Sequence, residues 1–462
     1  MKRFSKLIGY VLILAFFSVA LSGCTKKTPD PGTGSSSANN LVVWSFEDAD
    51  VWKDVKKGFE KKNTGINFVY KKEILDAGYE NRVMNSILSG TGPDIWAMPN
   101  DWVFRHKDKL APMPEGLLNK NDFADAVNQT VIVDDRIYAT TSGVSPLTLY
   151  LNTAVIKDTL KRYTALNKDN QGLTNRANSL LGGSGNIRTW NDFIEANKIL
   201  TKKNGKNIEV AGAAIGTDKV VNSQDILYLL MLQQGVDITN IKSGKLTQAT
   251  FNLPVTTAQN TEEFPGQKAL EFYTSFANPN NQNYTWNDSL GDSIEAFVNG
   301  KVAMMFGYGS FESYLAQKYP TFESYKRTFV PQIMTEPGTF KDYATFNAYG
   351  VSKYSGDYGA QVCWNLLAEM ALGNSSIASA TRSYYPGKTT KYDDTLEARH
   401  GSNPDKLEMV YAQTFIKGKF PDKFDTDIRY AIFAMNNGVL NSKGALDLAA
   451  NSISSYMVQE SW

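Results

Sequence analysis

The chain has 462 residues, 42% of them hydrophobic, with 48 Lys and Arg against 47 Asp and Glu. That length exceeds what one core usually supports, so two domains are expected. A formal charge of +1 argues against a nucleic-acid surface or a polybasic membrane patch.

Residues 1–23 read as a signal peptide. Lys2, Arg3 and Lys6 give a positive start, and residues 7–20 are apolar but too few to span a bilayer. Leu21-Ser22-Gly23-Cys24 resembles a bacterial lipobox, which implies lipidation at Cys24. Residues 24–40, rich in Pro, Gly, Ser and Lys, are too polar to fold and read as a flexible tether. Cys363, the other cysteine, sits in an apolar helical run and is expected to be a small buried hydrophobe.

The body opens with a strand at 41–46, a helix at 50–62 and a strand at 66–70. This β-α-β order requires a crossover helix and hence a parallel sheet. A helix at 79–89 precedes the turn and buried strand of 90–98, whose end delivers Asn100, Asp101 and Trp102. Residues 163–187 look like a polar insertion. Thr189 is placed to cap a helix, with Asp192 in its first turn. A strand follows at 211–216, then helices at 223–234 and 268–277, with Trp286 in the loop beyond. Ile294, Phe297 and Val298 share a helical face that Gly300 ends. Residues 302–306 form a short interior strand, Gly307-Tyr308-Gly309 turns the chain, and Ser310 can cap the next helix. A strand end is expected near 329–333. Helices are expected at 359–372, 405–418, 427–437 and 442–457.

Several of these stretches carry a resemblance. Phe297-Val298-Asn299-Gly300-Lys301-Val302-Ala303-Met304 with Gly309-Ser310-Phe311 resembles the "F-x-x-G-K-x-A-M … G-S-W" segment of extracellular solute-binding proteins of ABC importers, of the carbohydrate-binding, maltose-binding-protein-like group. Phe311 stands where that family usually has Trp. Gly90-Thr91-Gly92-Pro93-Asp94-Ile95 resembles its "G-x-G-P-D-I" turn. The run from Ile137 to Asn152 resembles its first crossing between lobes, with Ala139-Thr140 in place of "G-x-P". Arg188 to Phe193 is similar to its "P-x-T-W-x-E-F" helix start. Tyr343 to Lys353 resembles the second crossing, without the usual Gly-Gly, and Tyr384-Tyr385-Pro386-Gly387 resembles a turn near the third.

The resemblance implies an α/β, two-lobe periplasmic-binding-protein-like fold. Each lobe would be a sheet flanked by helices, hinged by about three crossings. Residues 41–145 with 346–400 would form lobe 1, and residues 146–345 with 401–462 lobe 2. It further implies a monomer that captures a small-molecule carbohydrate, an oligosaccharide, and delivers it to an ABC transporter permease. Contact with the membrane would be through the lipid anchor only, with no nucleic acid and no cofactor.

Catalytic signatures are sparse. The sequence has two histidines, no Gly-x-Ser-x-Gly, no His-Glu-x-x-His and no phosphate-cradling glycine loop. His106, among Arg105, Lys107 and Asp108, reads as a solvated surface residue. Asn167-x-Asp169-x-Gln171-Gly172 lacks the twelfth-position acid of a calcium loop and reads as a turn. An acid pair for glycoside hydrolysis could be drawn from Glu47, Asp48 and Asp101, which keeps an extracellular glycosidase as an alternative. A binding protein for a peptide or polyamine is another. A sugar has hydroxyl edges and apolar C–H faces, so it calls for carboxylates, amides and flat rings. The expected ligand-binding set is Phe46, Glu47, Asp48, Asn100, Asp101, Trp102, Ser145, Asp225, Trp286, Tyr308, Ser310, Phe311 and Asn347.

Overall fold

A computed structural model describes residues 40–458, apart from 184–185, 206, 243–244, 258, 334–338 and 373–407. The signal peptide, Cys24, the tether up to residue 39, the 384–387 turn and His400 lie outside the described residues.

Two sheets organise the chain. Their strands are β1 Asn40–Ser45, β2 Asn67–Lys72, β3 Ile95–Pro99, β4 Ala139–Thr141, β5 Ser145–Asn152, β6 Lys202–Asn204, β7 Asn207–Ala214, β8 Val302–Tyr308, β9 Tyr325–Thr328, β10 Asp342–Thr345, β11 Asn347–Val351 and β12 Ala412–Gln413. The smaller sheet runs β2-β1-β3-β11-β4. The larger runs β12-β10-β5-β8-β7-β6, with β9 also on β5. β1 lies parallel to β2 and β3, as the opening β-α-β pattern requires. β11 enters antiparallel between β3 and β4.

Each sheet has its own core. Trp52, Trp96, Tyr349 and Trp364 anchor the smaller one. Trp190, Phe193, Trp286 and Phe306 anchor the larger. β8 has six of its seven residues buried, the near-continuous apolar run of a strand covered on both faces. Gly300, at φ 70, ends the helix Ser293–Val298 in a left-handed turn that a β-carbon would strain. Thr189 and Asp192 form a reciprocal capping box on the helix Trp190–Leu200. The Cys363 thiol is buried in the helix Gly356–Leu372, and burial pushes its pKa up.

The chain passes between sheets at two described places. β4 hands over to β5 through residues 142–144, and β10 to β11 through Phe346 alone. The stretch 343–353, expected as the second crossing, does pass from one sheet to the other, as two strands. Asn100 pins this second crossing. Its backbone N–H donates to the Phe346 carbonyl at 3.0 Å, while its side-chain oxygen accepts from Phe346 N–H at 3.2 Å and from the Thr345 hydroxyl at 3.0 Å. Asn100→Ala would leave two donors there without that acceptor, an expected loss of about 1–2 kcal/mol readable as a lower urea midpoint.

Three further elements differ from expectation. Residues 163–187 are not a loose insertion: the helix Gln171–Leu181 buries Thr174, Ala177, Leu180 and Leu181 at helical spacing. From residue 408 the chain turns into β12 rather than continuing a helix. The backbone there pairs with β10, and Thr414 donates to Gln129 and to the Ala126 carbonyl. The strand expected at 329–333 lies earlier, as β9, because Tyr325 to Thr328 supply the backbone groups that complete β5. No described helix is long and apolar enough to cross a membrane.

Candidate functional site

The C-terminal end of β8 opens into a cavity of about 240 Å³. Tyr308, Ser310, Phe311 and Tyr314 line one side, and Val221, Asn222 and Ile294 line another. β8 runs on through Gly307 and Tyr308, so the chain turns at Gly309 alone rather than over 307–309, and Tyr308 still stands at a strand end, where ligands sit in open α/β sheets. Ser310 begins the helix Ser310–Lys318, but no side chain caps it and Gly309 takes the cap position. The Ser310 side chain is thereby left exposed at the cavity. Phe311 is half-buried, stacked on Tyr314 at 5.8 Å and edge-on to Tyr150 at 5.1 Å. The two rings give this side of the cavity an aromatic wall.

A second group of expected residues lies in the smaller lobe, outside the lining of this cavity. The Glu47 carboxylate accepts from the Ser45 hydroxyl, from the Tyr349 hydroxyl at 2.6 Å and from the Asn347 amide at 3.4 Å. Tyr70 donates to the Glu47 carbonyl. Phe46 packs edge-on against Tyr79 at 5.0 Å. Glu47 is therefore held in one orientation while keeping lone pairs for a hydroxyl partner. Asp48 stands apart, exposed and paired with Lys72.

A third group joins the lobes. Lys417 lies 2.8 Å from Asp425 and 3.3 Å from Asp101, with its ammonium over the Tyr228 ring. Tyr228 donates to Asp425 at 2.7 Å, and Tyr308 donates to Asp225 at 2.9 Å. Burial alone would lower the Lys417 pKa. The charges and dipoles of Asp425, Tyr343 and Asp101 outweigh it, and the ammonium stays protonated well above its usual range. Burial pushes Asp225 up to about 7 despite the opposing pull of Lys417. Asp101 is raised for the same reason.

The remaining expected residues are structural in their surroundings. Trp102 is buried, stacked on Tyr79 at 6.3 Å. Trp286 is 1% exposed in the larger core. Ser145, at the start of β5, is buried with its hydroxyl unpartnered among the described residues. His106 is not at the surface. It is 6% exposed, edge-on to Trp96 and Trp102, with Nε2 3.0 Å from Glu80, and burial pushes its pKa down to about 4. The charged neighbours in sequence hid the apolar face formed by the two tryptophans. Residues 167–170 form a plain turn in which Asn170 caps the following helix.

Sequence reasoning missed Lys417, Asp425, Tyr228 and Tyr343. Lys417 sits in Ile416-Lys417-Gly418-Lys419-Phe420, where nothing separates a buried lysine from an exposed one. Among the described residues, no three His, Cys, Asp or Glu side chains are placed to hold a metal ion.

A family model for bacterial extracellular solute-binding proteins matches residues 54–397. No curated protein matches the sequence. Among solved structures, the cyclic alpha-maltosyl-1,6-maltose binding protein of Arthrobacter globiformis is 16% identical at a TM-score of 0.68, with 90% of this chain and 98% of that one covered. The sugar-binding protein MalE of Xanthomonas citri is 14% identical at 0.64, covering 92% and 98%. An ABC substrate-binding protein of Listeria monocytogenes, in complex with cycloalternan, is 17% identical at 0.61, covering 91% and 99%. At these identities the likeness establishes the two-lobe fold.

Proposed function

This chain belongs to the bacterial extracellular solute-binding proteins, and from that premise we propose that it captures a carbohydrate, an oligosaccharide, between its lobes and delivers it to the permease of an ABC importer. Family membership puts its work outside the cytoplasm. The observation that carries the carbohydrate reading is the Phe311–Tyr314 ring pair at the cavity beside Ser310. An aromatic wall beside a hydroxyl suits a sugar, whose faces are C–H and whose edges are hydroxyls. Glu47 and Asn347 supply acceptor and donor from the other lobe. The named ligands of the solved relatives, cycloalternan among them, are of the same chemical class.

The lobes divide as 41–145 with 346–400 and 146–345 with 401–462. Cys24 carries the lipid that tethers the body to the outer face of the cell membrane. The protein acts as a monomer and turns nothing over: Glu47, Asp48 and Asp101 serve binding and structure rather than hydrolysis.

Calorimetry and thermal unfolding with maltotetraose, a cyclic glucan, amino acids and spermidine test this reading. A sugar at a hundred times its dissociation constant stabilises by about 2.7 kcal/mol, with no product on long incubation. Phe311→Ala is expected to weaken sugar binding by about 2 kcal/mol, near thirtyfold, with the melting temperature of the free protein little changed. Stabilisation by spermidine alone would overturn the carbohydrate assignment, and released glucose would overturn the binding role.

A further inference from the structure

Besides the crossings, the lobes meet through charged side chains. Asp101 lies two residues past the end of β3 and opens the helix Trp102–His106, whose Trp102 and Val103 bury in the smaller core. Lys417 follows Ile416, which buries in the larger core, and Phe415, which packs against it. The 3.3 Å contact between Asp101 and Lys417 thus ties one lobe to the other. Four residues along the same helix, Arg105 lies 3.6 Å from Asp422 of the larger lobe's helix Pro421–Asn436 and 2.8 Å from Glu80 of its own lobe.

These two contacts differ in weight. Asp422 is 81% exposed, and pairs of that kind contribute little. The Lys417 side chain is 4% exposed and that of Asp101 19%. We propose that Lys417 is a positioning residue that clasps the two lobes: Asp425 and Tyr228 fix its ammonium on the larger lobe, and Asp101 docks the smaller lobe onto it.

The arrangement suits a reversible contact. When the lobes part, Lys417 keeps Asp425 as a partner and Asp101 gains water, so neither charge is stranded in an apolar surrounding. Every atom of the bridge belongs to the protein. The balance between open and closed lobes is then set partly by the chain, and a solute adds only its preference for the closed form. The inference rests on the two-lobe fold and not on the nature of the solute.

Small-angle X-ray scattering of the full chain, without added solute, tests it. Asp101→Asn keeps the size and removes the charge. Its radius of gyration is expected to rise by about 1 Å, against roughly 23 Å for a compact chain of this length. Asp101→Glu restores the pair and is expected to stay at the wild-type value. Asp422→Asn, at the exposed contact, is expected to change nothing. A cooperatively melting Asp101→Asn protein with an unchanged radius of gyration would overturn the clasp. So would an Asp101→Glu protein as expanded as Asp101→Asn. Because no sugar enters the measurement, failure here leaves the carbohydrate assignment untouched, and the reverse also holds.

Discussion

Lys417→Met is expected to destabilise the protein by about 3–5 kcal/mol, seen as a lowered urea midpoint. Methionine fills most of the space of the lysine stem, so packing loss is minor. The cost comes from what remains. Asp425 and Asp101 lose the ammonium at 2.8 and 3.3 Å, and both carboxylates stay largely buried. Removing one partner of a buried pair is far more harmful than never having had the pair. Asp101 can regain water where the lobes part, so the larger share of the cost falls on Asp425, which stays within its own lobe. Adding Asp425→Asn to Lys417→Met is expected to recover part of it, a coupling that a double-mutant cycle reads directly. A loss below 1 kcal/mol would mean that water reaches these carboxylates in the folded chain.

The second large effect is one of pH. Asp225 holds its proton in the folded chain up to about 7, against 3.8 as its ordinary value. Between those two pH values the folded state binds a proton that the unfolded state has released. Stability contributed by this group is therefore greatest at low pH, falls as pH rises from about 4 towards 7, and is level above that. Asp225→Asn has no proton to lose and still offers an oxygen to the Tyr308 hydroxyl. The stability of the variant relative to wild type is expected to climb with pH, by up to about 1.4 kcal/mol per unit at the steepest. Unfolding free energies of both proteins at pH 4.5, 6 and 7.5 decide it, and parallel profiles would show that Asp225 titrates as an ordinary carboxylate. Tyr308 lines the cavity, so the same titration bears on a ring of the proposed site.

How much of this was legible depended on whether the signal was local. The opening β-α-β unit, the Thr189 cap, the Gly300 stop and the buried run of β8 were readable because turn chemistry and apolar runs act over a few residues. The helix Gln171–Leu181 was missed because its buried positions are spaced among Asn, Ser and Arg on the wet face. β12 was missed for a different reason: two residues become a strand only because β10 offers them partners from seventy residues away. In the candidate site, Ser310, Phe311 and Tyr308 were named because a motif places them at a strand end, and they line one cavity. Glu47 and Asn347 were both named, but their mutual contact spans 300 residues and no spacing reveals it. Lys417 was beyond reach, since a lysine's burial is decided by acids that other elements bring to it.

The seat of β11 has a consequence for how the protein comes into being. β11 is an interior strand of the smaller sheet, yet its partner β3 precedes it by roughly 250 residues. A chain emerging from its N-terminus makes β1, β2 and β3 early and then waits, with one flank of β3 unpaired, until most of the sequence has followed. The larger sheet waits as well, because β10 and β12 come later than every strand they complete. Neither lobe can close its core as a nascent fragment. Folding is a late, whole-chain event limited by distant pairings, and the polypeptide remains threadable for as long as it takes to be made and passed through a membrane.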